Sequence, residues 1–255
     1  MKKLMIAMGA AALLGAVHAA DAGIVSSDIV GYATQNLTSG KFNLAGVTFQ
    51  NIGVTTSFDL NDVTIANVTG GADENSSDYL QLWDPSTSGY TTFYKYFEAE
   101  YPEDEGWYDA YGDAEPVLDS GTAFWYRART EEGKSITFAG TVESDSDVTV
   151  ALTSGKFNLA INPFPVATDF NDEKTVVVNN VTGGADENSA DFIQIWDPAT
   201  SGYTTYYKYF EAEYPDDEGW YDAYGDTEPV LPAGTAFWYR ARSDANKSLK
   251  FPKPY

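Results

Sequence analysis

One segment of this chain occurs twice with very little change. The 63 positions from Asn67 to Arg129 return as Asn180 to Arg242, and only ten of them differ. The exchanges are conservative, as where Leu80 becomes Ile193, and a packed core tolerates such isomeric substitutions. The chain of 255 residues is therefore predicted to consist of two copies of one module rather than of a single large domain.

The agreement between the copies is uneven along the module. Ala45–Ala66 and Ala160–Asn179 hardly match, whereas "EAEYPEDEGWYDAYGD" at Glu98 returns at Glu211 with one Glu-to-Asp exchange. Drift after a duplication would leave the agreement even. The difference indicates a constraint on the matching part, unless gene conversion confined to that part has produced it.

The local patterns are those of strands and turns. "YLQLWD" at Tyr79 alternates apolar and polar residues, "PSTSG" supplies turn residues and "YTTFYKYF" follows, which predicts a hairpin. "TAFWYRAR" at Thr122 and "SITFAG" at Ser135 predict a second hairpin. No helix-period segment longer than a turn or two follows residue 20. Each copy is therefore predicted to be an antiparallel β-sandwich or a small barrel, and the sequence leaves that choice open.

The first 19 residues have the layout of a secretory signal peptide. Lys2 and Lys3 precede an apolar run from Leu4 to Val17, which is too short to span a bilayer, and small residues precede Ala20. We therefore predict a secreted or cell-surface protein without a membrane anchor, whose modules are residues 20–140 and 141–255. Whether export ends in a periplasm or beyond it stays open.

The composition excludes several classes of chemistry. His18 is the only histidine, it lies in the predicted signal peptide, and there is no cysteine. The mature chain thus lacks the residues of a Ser-His-Asp or Cys-His nucleophile, of the usual zinc sites and of disulfides. Paired carboxylates could still hydrolyse a glycoside. However, the acidic residues lie in one repeated loop rather than on several elements, so we predict that the protein is not an enzyme.

The acidic residues far outnumber the basic ones. The chain has 38 Asp and Glu against 15 Lys and Arg, a formal net charge of −23, and loss of Lys2 and Lys3 leaves −25. Such a surface repels nucleic acid and anionic lipid, so no nucleic-acid partner is expected. Divalent cations and cationic partners suit it better.

The repeated acidic loop is a candidate calcium site, because calcium takes six to eight oxygen ligands and crowded carboxylates need screening. The spacing is not that of an EF-hand, and a solvated loop whose rings pack on the rim of the module is the alternative. A second acidic turn, "GGADENSSD", adds Asp73 and Asp78 with their counterparts Asp186 and Asp191. The candidate ligands in the loop are Asp104, Glu105, Asp109, Asp113, Asp217, Glu218, Asp222 and Asp226.

Aromatic residues in the same loop are candidate contacts for a glycan, because sugar-binding surfaces combine aromatic rings with carboxylate acceptors. Packing at the rim of the module is the alternative reading. The four arginines, two in each copy of "TAFWYRAR", are expected to clamp the loop through bidentate pairs with its carboxylates. The candidate contacts are Trp107, Tyr108, Tyr111, Trp220, Tyr221 and Tyr224.

The order of short motifs suggests a family. "GKFNLA", "LQLWD", "PVLDSGTAFWYRA" and "SITFAG" together resemble a module of about 100 residues that recurs in secreted and surface proteins of bacteria. The second copy fits better, with "NPFP" after its opening and "LPAG" before its last strands. The resemblance implies an accessory or structural surface module rather than an enzyme.

The chain ends suggest a mode of assembly. If Thr141–Leu152 completes copy one and also opens copy two, copy two has a vacant strand edge at its C-terminal side. Ile24–Leu37 of a neighbouring molecule could fill that edge and build a head-to-tail filament or layer. The alternative is that this strand folds back on its own module. We thus predict a structural surface protein, with an extracellular carbohydrate-binding protein as the alternative.

Overall fold

The computed structural model describes residues 29–52, 56–112, 114–129, 132–143, 146–225, 227–242 and 246–254. The predicted signal peptide lies outside these residues. The described part is an all-β structure, as predicted, and its helical segments are the three short 3-10 helices Leu60–Asp62, Pro102–Asp104 and Pro215–Asp217. None of the helices in this part is long and apolar enough to cross a membrane.

The described residues of module 1 contain ten strands: β1 (Ile29–Asn36), β2 (Phe42–Gly46), β3 (Phe58–Asp59), β4 (Thr64–Ala66), β5 (Tyr79–Asp84), β6 (Gly89–Tyr96), β7 (Gly106–Asp109), β8 (Val117–Leu118), β9 (Ala123–Arg127) and β10 (Ser135–Val142). They form a five-stranded sheet in the order β2-β9-β5-β6-β7 and a three-stranded sheet in the order β1-β10-β4, while β3 pairs with β8. All of these pairings are antiparallel.

Module 2 repeats the same order with strands β11 (Val148–Leu152), β12 (Phe157–Ile161), β13 (Thr168–Asp169), β14 (Val177–Asn179), β15 (Phe192–Asp197), β16 (Gly202–Tyr209), β17 (Gly219–Asp222), β18 (Val230–Leu231), β19 (Ala236–Arg240) and β20 (Lys247–Phe251). Its five-stranded sheet is β12-β19-β15-β16-β17, its three-stranded sheet is β11-β20-β14, and β13 pairs with β18. The two modules therefore share one topology.

The core of each module lies between its two main sheets. In module 1, Phe124 and Tyr126 point inward from β9, and Phe138 meets them from β10. The rings of Phe124 and Phe138 are 6.4 Å apart, and Phe58 packs edge-on against Phe138 at 5.2 Å. Each buried ring contributes roughly 1.5–3 kcal/mol through removal from water. Two sheets packed over one core form a β-sandwich-like module.

One predicted hairpin is confirmed and the other is wrong. β5 and β6 pair from Tyr79 with Tyr94 to Asp84 with Gly89. In contrast, β9 and β10 do not pair, because β9 lies in the five-stranded sheet and β10 in the three-stranded sheet. Both strands carry rings that must enter the same core from opposite sides, so the chain crosses between the layers instead of turning back within one.

The strand edge invoked for head-to-tail assembly is absent from the described residues. β20 is the central strand of its sheet, with β11 on one side and β14 on the other. β1 pairs with β10 of its own module along all eight residues, from Ile29 with Val142 to Asn36 with Ser135. The hypothesis took residues 141–152 as one shared strand, but β10 and β11 divide them, and the predicted boundary after residue 140 falls inside β10.

The modules pack against each other through the outer faces of their five-stranded sheets. Trp83 of module 1 meets Trp238 of module 2 edge-on at 5.2 Å, and Trp125 meets Trp196 in the same way at 5.2 Å. Trp83 and Trp196 are counterparts in the repeat, as are Trp125 and Trp238. Such reciprocal contacts define an approximate twofold axis between the modules. We call this contact the junction.

Hydrogen bonds across the junction follow the same symmetry. The indole N–H of Trp83 donates to the carbonyl oxygen of Phe157 at 2.8 Å, and that of Trp196 donates to the carbonyl oxygen of Phe42 at 2.8 Å. One pair departs from the symmetry, because Gly46 stands where module 2 has Ile161. A Cβ atom on Gly46 would lie 2.8 Å from Cδ1 of Ile161, so the isoleucine uses the space that the glycine leaves.

Candidate functional site

The outer face of β6 is mostly aromatic. Tyr90, Tyr94 and Tyr96 lie on that face because successive side chains of a strand alternate, while Phe93 points into the core. The Tyr90 end of the strand lies at the junction, where the ring of Tyr90 meets that of Trp83 at 4.9 Å with the ring planes inclined by 59°. The Tyr96 end extends away from the junction toward the acidic loop.

At that end each module has an open cavity, which we call its tyrosine cleft. The cleft of module 1 has a volume of about 340 Å³ and that of module 2 about 390 Å³. Residues lining the first are Tyr94, Tyr96, Asp104, Tyr108 and Gly112. Residues lining the second are Tyr207, Tyr209, Asp217, Tyr221, Ala223, Tyr224 and Gly225. The acidic loop thus contributes one described carboxylate and at least one phenol ring to each cleft.

The sequence "EGWYD" shapes the wall of the cleft. The 3-10 helix Pro102–Asp104 is closed by the N–H of Glu105, which donates to the carbonyl of Pro102, and β7 begins at Gly106. A Cβ atom on Gly106 would lie 2.6 Å from the hydroxyl oxygen of Tyr108. Only glycine therefore allows the ring of Tyr108 to fold back over the backbone. Tyr96 meets that ring edge-on at 6.5 Å.

Burial and neighbouring acids raise the pKa of one phenol at the floor of each cleft, Tyr96 in module 1 and Tyr209 in module 2. Desolvation raises the pKa of Tyr96 above its usual value, and the charges of Glu98 and Asp104 raise it further. Desolvation also raises the pKa of Tyr209, with Glu211 and Asp217 acting in the same direction. Each phenol is therefore a neutral ring that retains its hydroxyl as a hydrogen-bond donor.

Among the described candidate calcium ligands, Glu105 and Asp109 contact other groups of the protein. Glu105 forms an ion pair with Lys95 at 2.8 Å, while Asp109 accepts a hydrogen bond from the backbone N–H of Tyr111. In module 2, Glu218 pairs with Lys208, and Asp222 accepts from the N–H of Tyr224. Within the described ranges no three Asp, Glu or His side chains form a group that could hold a metal ion. Asp113 and Asp226 lie outside the described residues, so calcium binding stays a prediction.

Trp107 and Trp220 are not surface contacts, contrary to the prediction. Each is 3% exposed and packs in the core of its module, and Trp107 lies 6.0 Å from the ring of Tyr126. Alternation along β7 explains this, because Trp107 points inward when Tyr108 points outward. Tyr111 and Tyr224 are the opposite case, at 87% exposed each.

The arginines do not clamp the acidic loop within the described part of the chain. Arg127 donates to the carbonyl oxygen of Gly40 at 2.6 Å, and its guanidinium lies 5.1 Å from the ring centre of Phe42. Arg129 donates to the carbonyl oxygens of Ser77 and Glu74. Arg240 and Arg242 repeat these contacts in module 2. The guanidinium groups of these arginines therefore donate to backbone carbonyls and not to the carboxylates of the acidic loop.

The second acidic turn is closed by lysine. The Asp78 carboxylate is fully buried and bonds Lys134 Nζ at 2.8 Å, with further bonds from the Tyr126 hydroxyl and the backbone N–H groups of Thr69 and Arg129. Desolvation and the Asp78 charge raise the pKa of Tyr126 far above its usual value. Asp191 and Lys247 form the same network in module 2. An ammonium group thus occupies the place considered for calcium.

Asp73, at the start of that turn, serves the turn itself. Its carboxylate accepts hydrogen bonds from Ser76 and from the backbone N–H of Asn75, and the bonds from Ser76 lower its pKa below the usual value. Asp186 makes the equivalent bonds in module 2. These are Asx-type turns, in which the side chain stabilises its own loop.

Sequence reasoning missed the tyrosines of β6 and β16 as site residues. Tyr94 and Tyr96, with Tyr207 and Tyr209, form the floor of the clefts, yet they were read only as strand residues. The available signal was the two-residue period, which gives "YTTFYKYF" an outer face of Tyr90, Thr92, Tyr94 and Tyr96. So many rings on a face that is not the core indicate a partner or a ligand.

The comparisons with known proteins do not extend this assignment. Searches of family models, of curated proteins and of solved structures found no match to the chain. The resemblance to a bacterial surface module therefore stays a prediction, and the site rests on its geometry alone.

Proposed function

We propose that the protein is a non-catalytic, extracellular glycan-binding protein that uses its two tyrosine clefts. The observation that carries the proposal is the same open, ring-lined cavity in both modules, with one described carboxylate in each lining. Ligand sites are commonly concave, aromatic and furnished with a few polar groups that fix orientation. Phenol rings offer flat faces to the C–H groups of a sugar, and the hydroxyls and carboxylates bond its hydroxyl groups.

The cleft favours binding over hydrolysis. Glycoside hydrolysis requires two carboxyl groups on opposite sides of the scissile bond. Asp104 is the one carboxylate among the described lining residues of the first cleft, and Asp217 the one in the second. The described lining residues of each cleft thus offer one carboxyl group where hydrolysis requires two, so binding is the function that we favour.

Two clefts on one chain support a structural role. Each molecule would hold two glycan segments at once, and linked sites raise the apparent affinity for a polymer without any new contact. This agrees with the predicted signal peptide and with a place in a surface layer or matrix. Crosslinking through glycans takes the place of the head-to-tail strand contact.

The test is saturable binding of residues 20–255 to a broad panel of glycans. We expect the double variant Tyr96→Ala/Tyr209→Ala to bind at least about tenfold more weakly, since each cleft loses a floor ring. Tyr32→Ala is the matched control, because Tyr32 lies on β1 outside both clefts and is 76% exposed. Circular dichroism verifies folding. Absence of binding to every glycan, or an equal loss in the control, would sink the proposal.

A further inference from the structure

The charge around each tyrosine cleft is unbalanced. Neither lining contains Lys or Arg, whereas Asp104 lines one cleft and Asp217 the other. No hydrogen bond or ion pair to either carboxylate occurs among the described residues. In both clefts the acceptor oxygens are thus left for a ligand.

The nearest lysines do not neutralise the clefts. Lys95 follows Tyr94 in β6 and therefore points to the opposite face, where it pairs with Glu105 at 2.8 Å. Lys208 and Glu218 form the same pair at 2.8 Å in module 2. Both lysines thus form ion pairs with acids outside the cleft lining. The electrostatic potential inside each cleft therefore stays negative.

Further carboxylates act on the same rings. After the larger effect of desolvation in each case, the charge of Glu98 raises the pKa of Tyr96, and the charge of Glu211 raises that of Tyr209. Tyr207 also experiences the charges of Asp186 and Asp222. Aromatic faces in a negative field attract a cation through both the ring quadrupole and the carboxylates.

We propose that each tyrosine cleft takes a sugar ring that carries a free, protonated amino group, as in a deacetylated amino-sugar polymer. The inference rests on the proposed glycan-binding function and narrows its ligand class. A bare calcium ion fits less well, because it needs six to eight oxygen ligands and each described lining offers one carboxylate. A cavity of about 340 to 390 Å³ lined by three or more rings suits a cationic ring instead.

The test uses three β-1,4-linked hexamers, of glucosamine, N-acetylglucosamine and glucose, which differ only at C2. Binding to residues 20–255 is measured by calorimetry at mildly acidic pH, where the glucosamine amine is protonated. We expect the glucosamine hexamer to bind about tenfold more tightly than the other two, and higher salt to reduce this preference. Spermine, a cation without sugar rings, should bind more weakly than the glucosamine hexamer.

Two charge-matched variants separate the cleft from the general acidity of the protein. Asp104→Asn/Asp217→Asn removes one carboxylate from each cleft, and we expect it to abolish the preference for the amine. Glu103→Gln/Asp216→Asn removes the same charge from exposed neighbours in the same 3-10 helices, which do not line the clefts, and should leave the preference intact.

The outcomes are distinct. Equal affinity for the three hexamers, or an equal loss of preference in both variants, overturns the inference of an amino-sugar ligand. If glycans still bind in a Tyr96-dependent and Tyr209-dependent manner, the proposed function survives that result. If no hexamer and no other glycan binds, the proposed function fails and the inference fails with it.

Discussion

The junction and the tyrosine clefts are two ends of the same sheet face, and they use aromatic residues in opposite ways. At the junction the rings are mostly tryptophan, Trp125 is only 6% exposed, and indole N–H groups bond backbone carbonyls of the other module. In the clefts the rings are tyrosine, they line an open cavity, and one described carboxylate lies beside them in each. Both ends are nearly identical in the two copies.

The contrast explains why one part of the module is repeated so closely. The matching segment supplies β5 to β9 and β15 to β19, which carry the junction and the clefts. In a contact with twofold symmetry each copy is the partner of the other, so a change in one face must fit the same face opposite. The divergent segments Ala45–Ala66 and Ala160–Asn179 lie wholly outside these strands. The junction accounts for the constraint on its own indoles, and the proposed ligand site would account for the constraint on the acidic loop.

The largest effect is expected at the junction. Trp125→Ala removes a buried ring that contacts Phe42 and Trp196, so the free energy of unfolding should fall by about 3–5 kcal/mol. Urea denaturation measures this loss. Tyr111→Ala, which removes an exposed ring, should change stability by less than about 0.5 kcal/mol. A loss below about 1 kcal/mol for Trp125→Ala would show that the junction does not stabilise the molecule.

A smaller loss of stability is expected where the symmetry breaks. Gly46→Ala places a methyl group 2.8 Å from both Ile161 Cδ1 and the carbonyl oxygen of Thr122, which should cost about 1–3 kcal/mol. Gly89→Ala is the control, since its nearest neighbour is a side-chain oxygen at 3.3 Å. Thermal denaturation of both variants compares the two glycines. Equal stability would mean that the junction can relax.

At the clefts we expect binding to change and stability to stay nearly constant. Tyr108→Ala/Tyr221→Ala should weaken glycan binding about tenfold, equivalent to about 1.4 kcal/mol. The free energy of unfolding should change by less than that, because both rings cover open cavities rather than fill the core. Titration and urea denaturation of the same sample measure both quantities. A large loss of stability with unchanged affinity would mean that these tyrosines stabilise the fold and do not bind the glycan.

The smallest effect is expected at the rim of the junction. Lys41 Nζ lies 3.3 Å from the Ser201 hydroxyl and Lys156 Nζ lies 3.4 Å from the Ser88 hydroxyl, and these contacts are exposed. Lys41→Ala/Lys156→Ala should therefore lower stability by less than about 0.5 kcal/mol per site. A loss of stability near that of Trp125→Ala would mean that the polar contacts at the rim, and not the rings, contribute most of the stability of the junction.

Sequence periodicity predicted much of the fold and less of the site. Alternation correctly assigned β5 and β6 to a hairpin. It could not show that β10 joins the other sheet, because alternation identifies the faces of a strand but not its neighbours. The prediction that Trp107 lies at the surface was wrong for a related reason. Several of its neighbours in sequence are acidic, and they gave no sign that its ring points inward.

Long-range pairing was the other limit. The sequence groups Asp78 with the acidic residues beside it as a candidate calcium ligand. Its partner in the structure, Lys134, lies 56 positions away. Its other bonds come from residues on either side of it in sequence, including Tyr126. Only a folded topology brings these groups together. The clefts were half predicted for the same reason, because Tyr108 and Asp104 are close in sequence but Tyr94 and Tyr96 come from another strand.

The twofold relation between the modules has a consequence for any polymer that has a direction. Rotation about the axis reverses a straight chain that lies across it, so two clefts that hold their ligands across the axis would meet one continuous glycan with opposite ends leading. Because the two clefts are alike, each would bind a glycan in the same direction relative to its own module. The pair therefore suits two separate chains that run antiparallel. A protein of this design would crosslink two neighbouring polysaccharide chains rather than bind one chain at two places.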